Sequence, residues 1–195
     1  MRTSLHNSRI FKSSLLIFLA AAFSFSVCGQ TVITRNPEEK PPAAEKSDNT
    51  GIKAGNSEEE DPEIVKLERA AFEYLNEQRT KSKQKPLKWN DELAALARRH
   101  SKEMATKKFF SVKGANGETI DEEIKDAGIT KYTALGRLVG AAAGEDDPAK
   151  AVIDRWISSL ERRQYLFDNP WSETGVGIFI ADDGMFYLTQ DFLTR

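Results

Sequence analysis

The stretch LNEQRTKSKQKPLKWNDELAALARRHSKEMATKKFFS, residues 75–111, decides how the chain folds, because it holds the end of one helix, the break after it and the whole of a second helix. Ile64, Leu67, Ala71, Tyr74, Leu75 and Gln78 recur at helical spacing with Phe72 beside them, which predicts a helix with a mostly apolar stripe over 62–81. Lys85-Pro86-Leu87 stops that pattern, since proline lacks an N–H and pushes its predecessor out of the helical region. Trp89-Asn90 then supplies an N-cap, and Leu93, Leu96, Ala97, His100 and Met104 share one face of a second helix running to about residue 107.

Working outward, Asp61-Pro62 with Glu63 reads as the capped start of the first helix and of the folded domain, which is expected to span 62–195. Downstream, the glycine-containing KGANGE (113–118) leads to a short helix over 119–127, stopped by Gly128. A run of small residues, ALGRLVGAAAG (134–144), precedes Asp147-Pro148, a second cap-plus-proline start. Its helix carries Ala151, Val152, Asp154, Arg155 and Trp156 and ends near Leu160. Residues 174–181 and 185–192 are apolar, β-prone runs joined by Asp182-Asp183-Gly184, a compact hairpin signal. Helices followed by an antiparallel hairpin give an α+β order, with no internal repeat.

The first 29 residues read differently. Arg2, Arg9 and Lys12 stand without an acid before Leu15 to Val27, an uncharged run too short to span a bilayer comfortably, and small residues follow. This is the layout of a secretory signal peptide, so the protein is expected to be exported, to the extracellular space or the cell envelope. Cys28 is the only cysteine, so no disulfide can form within the domain. Two fates remain open for it: lipidation, which would anchor a lipoprotein to the membrane, or removal by a cut after Gly29. Residues 30–61 are rich in Pro, Glu, Lys, Ser, Asn and Gly and hold no aromatic residue, the composition of a disordered linker. Loss of residues 1–29 removes three bases and no acid, taking the net charge from −2 to −5. That argues against nucleic acid as a partner.

The ordered residues Asn76, Arg79, Pro86, Leu87, Trp89, Leu93 and Ala97 resemble the opening of bacterial CAP domains, also called SCP or pathogenesis-related class 1 domains. Trp156, Ser159, Arg163, Leu166, Glu173, Gly175, Val176 and Gly177 resemble that family's later helix and its T-E-x-G-V-G strand, and YLTQDF (187–192) its last strand. The resemblance implies an α-β-α sandwich with a central antiparallel sheet and a cleft that, in many members, holds two His and two acidic residues able to bind a divalent metal. Carried over position by position, those four places fall on Val112, Arg137, Ser159 and Arg162, a degenerate tetrad. Valine has no ligand atom, and arginine is cationic and no base near neutral pH, so neither metal nor other cofactor is expected.

Arg137 and Arg162, if they share the former cleft, would form an anion-binding pocket; the competing expectation is that Arg162 and Arg163 lie on a solvated face or pair with Glu161, Asp168 or Glu173. His100, the one histidine outside the signal, is expected to pack at the edge of the core. Ser101, Ser111 and Ser159 form no triad with it. Trp89 and Trp156 match core positions of the family, while Trp171 beside Pro170 is less determined. The expected function is that of a non-catalytic binding or envelope-associated module, a monomer recognising a protein, a glycan or a small anionic or lipid ligand. The alternatives are a hydrolase or protease-like CAP enzyme and a lipid or sterol carrier.

Overall fold

The structure is a computed structural model that describes residues 30–34 and 61–195. Five helices and five strands follow in the order β1 (Gln30–Thr34), α1 (Pro62–Lys81), β2 (Lys88–Trp89), α2 (Asp91–Thr106), α3 (Ile120–Asp126), β3 (Ala134–Ala142), α4 (Pro148–Ser158), α5 (Leu160–Phe167), β4 (Glu173–Ile180) and β5 (Phe186–Thr194). The sheet order is β1-β3-β5-β4-β2, antiparallel throughout except for the two-residue β2 beside β4. Helices cover both faces, giving the α-β-α layering expected. No helix among the described residues is long and apolar enough to cross a membrane.

The predicted starts are where the caps place them. The Asp61 carboxylate accepts from the Glu63 N–H at 2.9 Å, Asn90 Oδ1 accepts from Leu93 N at 3.0 Å, and Asp147 Oδ1 accepts from Lys150 N at 2.9 Å. Thr119 and Glu122 close a capping box on α3, and Gly128 ends it at φ +74°. The break between α1 and α2 is braced by Asn76 and Arg79, two of the residues that carry the family resemblance. Asn76 clamps Leu87 with both ends of its amide, accepting from Leu87 N at 2.7 Å and donating to Leu87 O at 3.0 Å. Arg79, buried, donates to the Lys85 and Leu166 carbonyls.

Alternation along the strands divides the interior in two. Leu138, Ala142, Val176, Ile178, Leu188 and Phe192 face α1, α4 and α5, where Trp156, Tyr165 and Trp171 fill the larger core. The opposite face carries Leu135 and Leu193 against α2 and α3, and Val139 against Met104 and Val112. On that second face α2 comes down almost onto the sheet: a Cβ at Gly175 or Gly177 would collide with the backbone of Ala94 or Arg98. The G-V-G strand pattern is therefore a packing requirement of α2. Glu68, fully buried on α1, ties the layers at the sheet edge by accepting from Ile178 N at 3.1 Å while Arg98 of α2 donates to it twice at 2.9 Å and once at 2.6 Å.

Four features differ from expectation. Residues 134–142, read only as small, form the long interior strand β3; Gly136 admits Tyr165 and Trp171 against the backbone, and Gly140 admits Val152 and Trp156. The helix expected to end near Leu160 does so as α4, but a further short helix, α5, follows it after Ser159 takes extended backbone (φ −83°, ψ 123°). Trp89 is half-buried rather than a core residue, with the Arg69 guanidinium 3.8 Å from its ring centre and its indole N–H on Asp91 at 2.7 Å. Finally, Gln30–Thr34, assigned to the linker, pairs with Ala134–Leu138 of β3 as an edge strand. Its QTVIT sequence is rich in β-branched residues, which favour an extended chain. Residues 35–60 of the linker and the signal segment with Cys28 lie outside the described residues.

Candidate functional site

The polar centre of the domain is built around Arg137 in the middle of β3. Its cross-strand partner in the register is Asp191 of β5, and the two side chains project to the α2–α3 face. Arg137 Nε donates to Asp191 Oδ1 at 2.6 Å and Nη2 to Oδ2 at 2.8 Å. Glu123 of α3 takes the other edge of the guanidinium, with Nη1 to Oε1 at 2.8 Å and Nη2 to Oε2 at 3.0 Å. The remaining Nη1 hydrogen points at His100 Nδ1 of α2, 3.0 Å away. All five N–H donors of the guanidinium are thereby committed inside the protein, and Arg137 and Asp191 are 0 % exposed.

This arrangement fixes the histidine tautomer. His100 Nε2 lies 2.8 Å from the Ser111 carbonyl, which can only accept, so Nε2 carries the proton and Nδ1 receives the Arg137 N–H. Burial, followed by the adjacent Arg137 charge, holds the imidazole pKa below its ordinary value, so the ring is neutral near pH 7. Burial pushes the Glu123 carboxyl up, but Arg137 outweighs it and the group sits below the ordinary carboxylate value. Complete burial pushes Asp191 up against the pull of Arg137, while Arg137 itself is held firmly cationic by the two acids. Two carboxylates against one guanidinium leave one negative charge, and Arg99, half-exposed, answers it with Nη2 at 3.4 Å from Glu123.

The four tetrad positions do not converge. Val112 is buried beside Met104 and Val139, on the Arg137 face of the sheet. Ser159 and Arg162, both half-buried, lie at the α4–α5 junction and on α5. The same helix sets Tyr165 over Gly136, the neighbour of Arg137 whose side faces the other way. Arg137 and Arg162 thus belong to opposite faces, and the Arg137 charge is already consumed by Glu123 and Asp191; the expected shared anion pocket is corrected accordingly. Arg163 is exposed, and Glu173 is bonded instead by Asn90 at 2.7 Å and Arg195 at 2.7 Å. His100 lies at the polar centre, 1 % exposed, rather than at the core edge. The sequence reading missed Glu123 and Asp191. The signal for Asp191 was available: a lone acid in an apolar strand that must face inward demands a buried cation.

A divalent ion does not fit these residues. A guanidinium occupies the space between the two carboxylates, and the histidine lone pair that could ligate is taken by that guanidinium. No group of three or more His, Cys, Asp or Glu among the described residues is placed to hold a metal.

Comparison with known proteins agrees with this architecture. The family model of the CAP, cysteine-rich secretory protein family matches residues 72–192. The uncharacterized protein YkwD of Bacillus subtilis is 26 % identical over 161 residues, 83 % of this chain; the chain spans 58 % of that relative's length. An extracellular SCP-domain protein of Bacillus anthracis is similar in structure with a TM-score of 0.56 at 22 % identity, over 68 % of this chain and 41 % of its own. An outer surface protein of Borrelia burgdorferi gives 0.59 at 14 % identity, over 67 % and 93 %. A Staphylococcus aureus cysteine-rich secretory protein gives 0.52 at 25 %, over 69 % and 40 %. With helices on both faces of a largely antiparallel sheet, and with the family pattern covering most of the described domain, this chain belongs to the CAP family of cysteine-rich secretory proteins.

Proposed function

We propose that the chain is an exported CAP-domain protein that works by binding a partner and not by metal-dependent catalysis. One observation carries the reading: the five-bond enclosure of Arg137 by Glu123, Asp191 and His100. A general base needs a free lone pair within reach of a substrate, and a metal site needs converging ones. Here the imidazole and both carboxylates spend theirs on a cation that never leaves. The polar centre then works as an internal brace between α2, α3 and the sheet, and recognition falls to surfaces outside it.

Export is supported by the basic, apolar and small-residue layout of residues 1–29 and by relatives described as extracellular, outer-surface or secretory. Membrane attachment through Cys28 belongs to the same proposal. Mass spectrometry of the mature amino terminus separates the two forms, a diacylglyceryl Cys28 or a free Gln30. The central reading is tested by calorimetric titration of the purified protein with zinc and with calcium. No saturable heat is expected; one-to-one binding abolished by His100→Ala would overturn it.

A further inference from the structure

A groove of about 680 Å³ runs between α1 and the amino-terminal end of α4, away from the Arg137 centre. Its floor is apolar, formed by Leu67, Ala71 and Tyr74 from α1 and Ala149 from α4. Both walls are acidic: Glu73 and Glu77 stand one turn apart on α1, and Asp146 and Asp147 face them from the loop that enters α4. Asp147 is spent as the α4 cap and Glu77 pairs with Lys81 at 2.7 Å, while Glu73 and Asp146 have no ion-pair partner among the described residues. The one lysine in the lining, Lys150, is bonded to Asp154 at 2.6 Å, so it does not neutralise the walls.

We infer that this groove docks an extended basic segment of a partner protein, in which Lys or Arg residues alternate with apolar ones. This rests on the binding reading above and names its surface and partner chemistry. The four carboxylates line two separate walls and do not converge, which suits charges spread along a chain and not a single small cation. Apolar floor and acidic walls at one site call for an occupant carrying both characters, as charge complementarity sets which partner is accepted. Lys150 already shows how a cation is received there: its ammonium lies 5.0 Å from the Tyr74 ring centre. The chain's own residues 35–60 carry seven acids against four bases, the wrong sign to fill the groove, and a second copy with net charge −2 is no better matched.

The test uses the full chain and a fluorescein-labelled octapeptide of alternating Arg and Leu, with a Glu-Leu octapeptide as counterpart, read by fluorescence anisotropy at low and high salt. Binding of the Arg-Leu peptide alone is expected, weakened by salt and reduced at least tenfold both in E73K/E77K and in D146K. These positions are exposed, and unchanged thermal melting confirms that each variant is folded. Absence of binding, binding of both peptides alike, or binding that all variants retain overturns the groove assignment. The zinc and calcium titrations on the same sample keep the two proposals apart. A silent titration with no peptide binding refutes the groove alone, and stoichiometric metal binding refutes the non-catalytic reading alone.

Discussion

Replacing Arg137 by methionine removes the five hydrogen bonds of its guanidinium while keeping an unbranched stem. Asp191 is then a fully buried acid with no cation, and Glu123 keeps only Arg99 at 3.4 Å. Breaking a buried ion pair by removing one partner costs about 3–5 kcal/mol. We expect about 4 kcal/mol, since Glu123 retains a partial partner and Asp191 can take up a proton. Against a total stability of roughly 5–15 kcal/mol, that is a large fraction. Urea unfolding followed by the fluorescence of buried Trp156 and Trp171 measures it directly. The pH dependence provides a second signature. Burial already raises the folded-state pKa of Asp191, and without Arg137 it rises further, so the native variant holds the proton over a wider pH range than the parent. The defect is therefore smallest at acid pH and grows as pH rises through the folded pKa. The triple variant Glu123→Leu, Arg137→Met, Asp191→Val should recover most of the loss or exceed the parent, because apolar replacement of a whole buried ion cluster is often neutral or stabilising by about 1–4 kcal/mol. A cost below about 1 kcal/mol for Arg137→Met, with no change in pH dependence, would show that the buried ion cluster does not brace the domain.

Two further outcomes follow from the same geometry. The His100 pKa is lowered in the folded protein, so the unfolded chain takes up its proton first; the contribution is present above about pH 6.5 and lost as pH falls below it, at no more than about 1.4 kcal/mol per pH unit. His100→Gln, whose amide can still donate to Ser111 O and accept from Arg137, should flatten the stability profile between pH 7 and 5 in urea titrations; an unchanged slope would assign it to other groups. Gly177→Ala sets a methyl group into the backbone of Arg98 and should cost about 3 kcal/mol, visible as a lowered melting temperature, whereas Gly184→Ala in the exposed hairpin meets no atom and loses only what its φ of +81° demands.

What was readable in advance followed from local chemistry. The Asp61, Asn90 and Asp147 caps, the proline break at Pro86 and the turn at 182–184 each act within a few residues, and all lie where the residues indicated. The strand β3 escaped because it is buried on both faces. Strands of that kind lose the alternation that marks a half-exposed one, and its Gly136 and Gly140 are explained only by the side chains they admit. The short β1 escaped because a five-residue run becomes a strand only when an edge is offered to it.

Local sequence alone pointed to an α+β CAP-type fold, and it set Arg137 within a run of small and apolar residues. Where the charge of that arginine goes was decided by tertiary structure alone. Asp191 is 54 residues from Arg137 and Glu123 is 14, and they meet it through strand register and helix docking. The same nonlocal packing turned Arg137 away from Arg162, because successive residues of β3 face opposite layers of the sandwich. A desolvated charge must be answered inside the protein, and only the assembled fold shows which residues answer it.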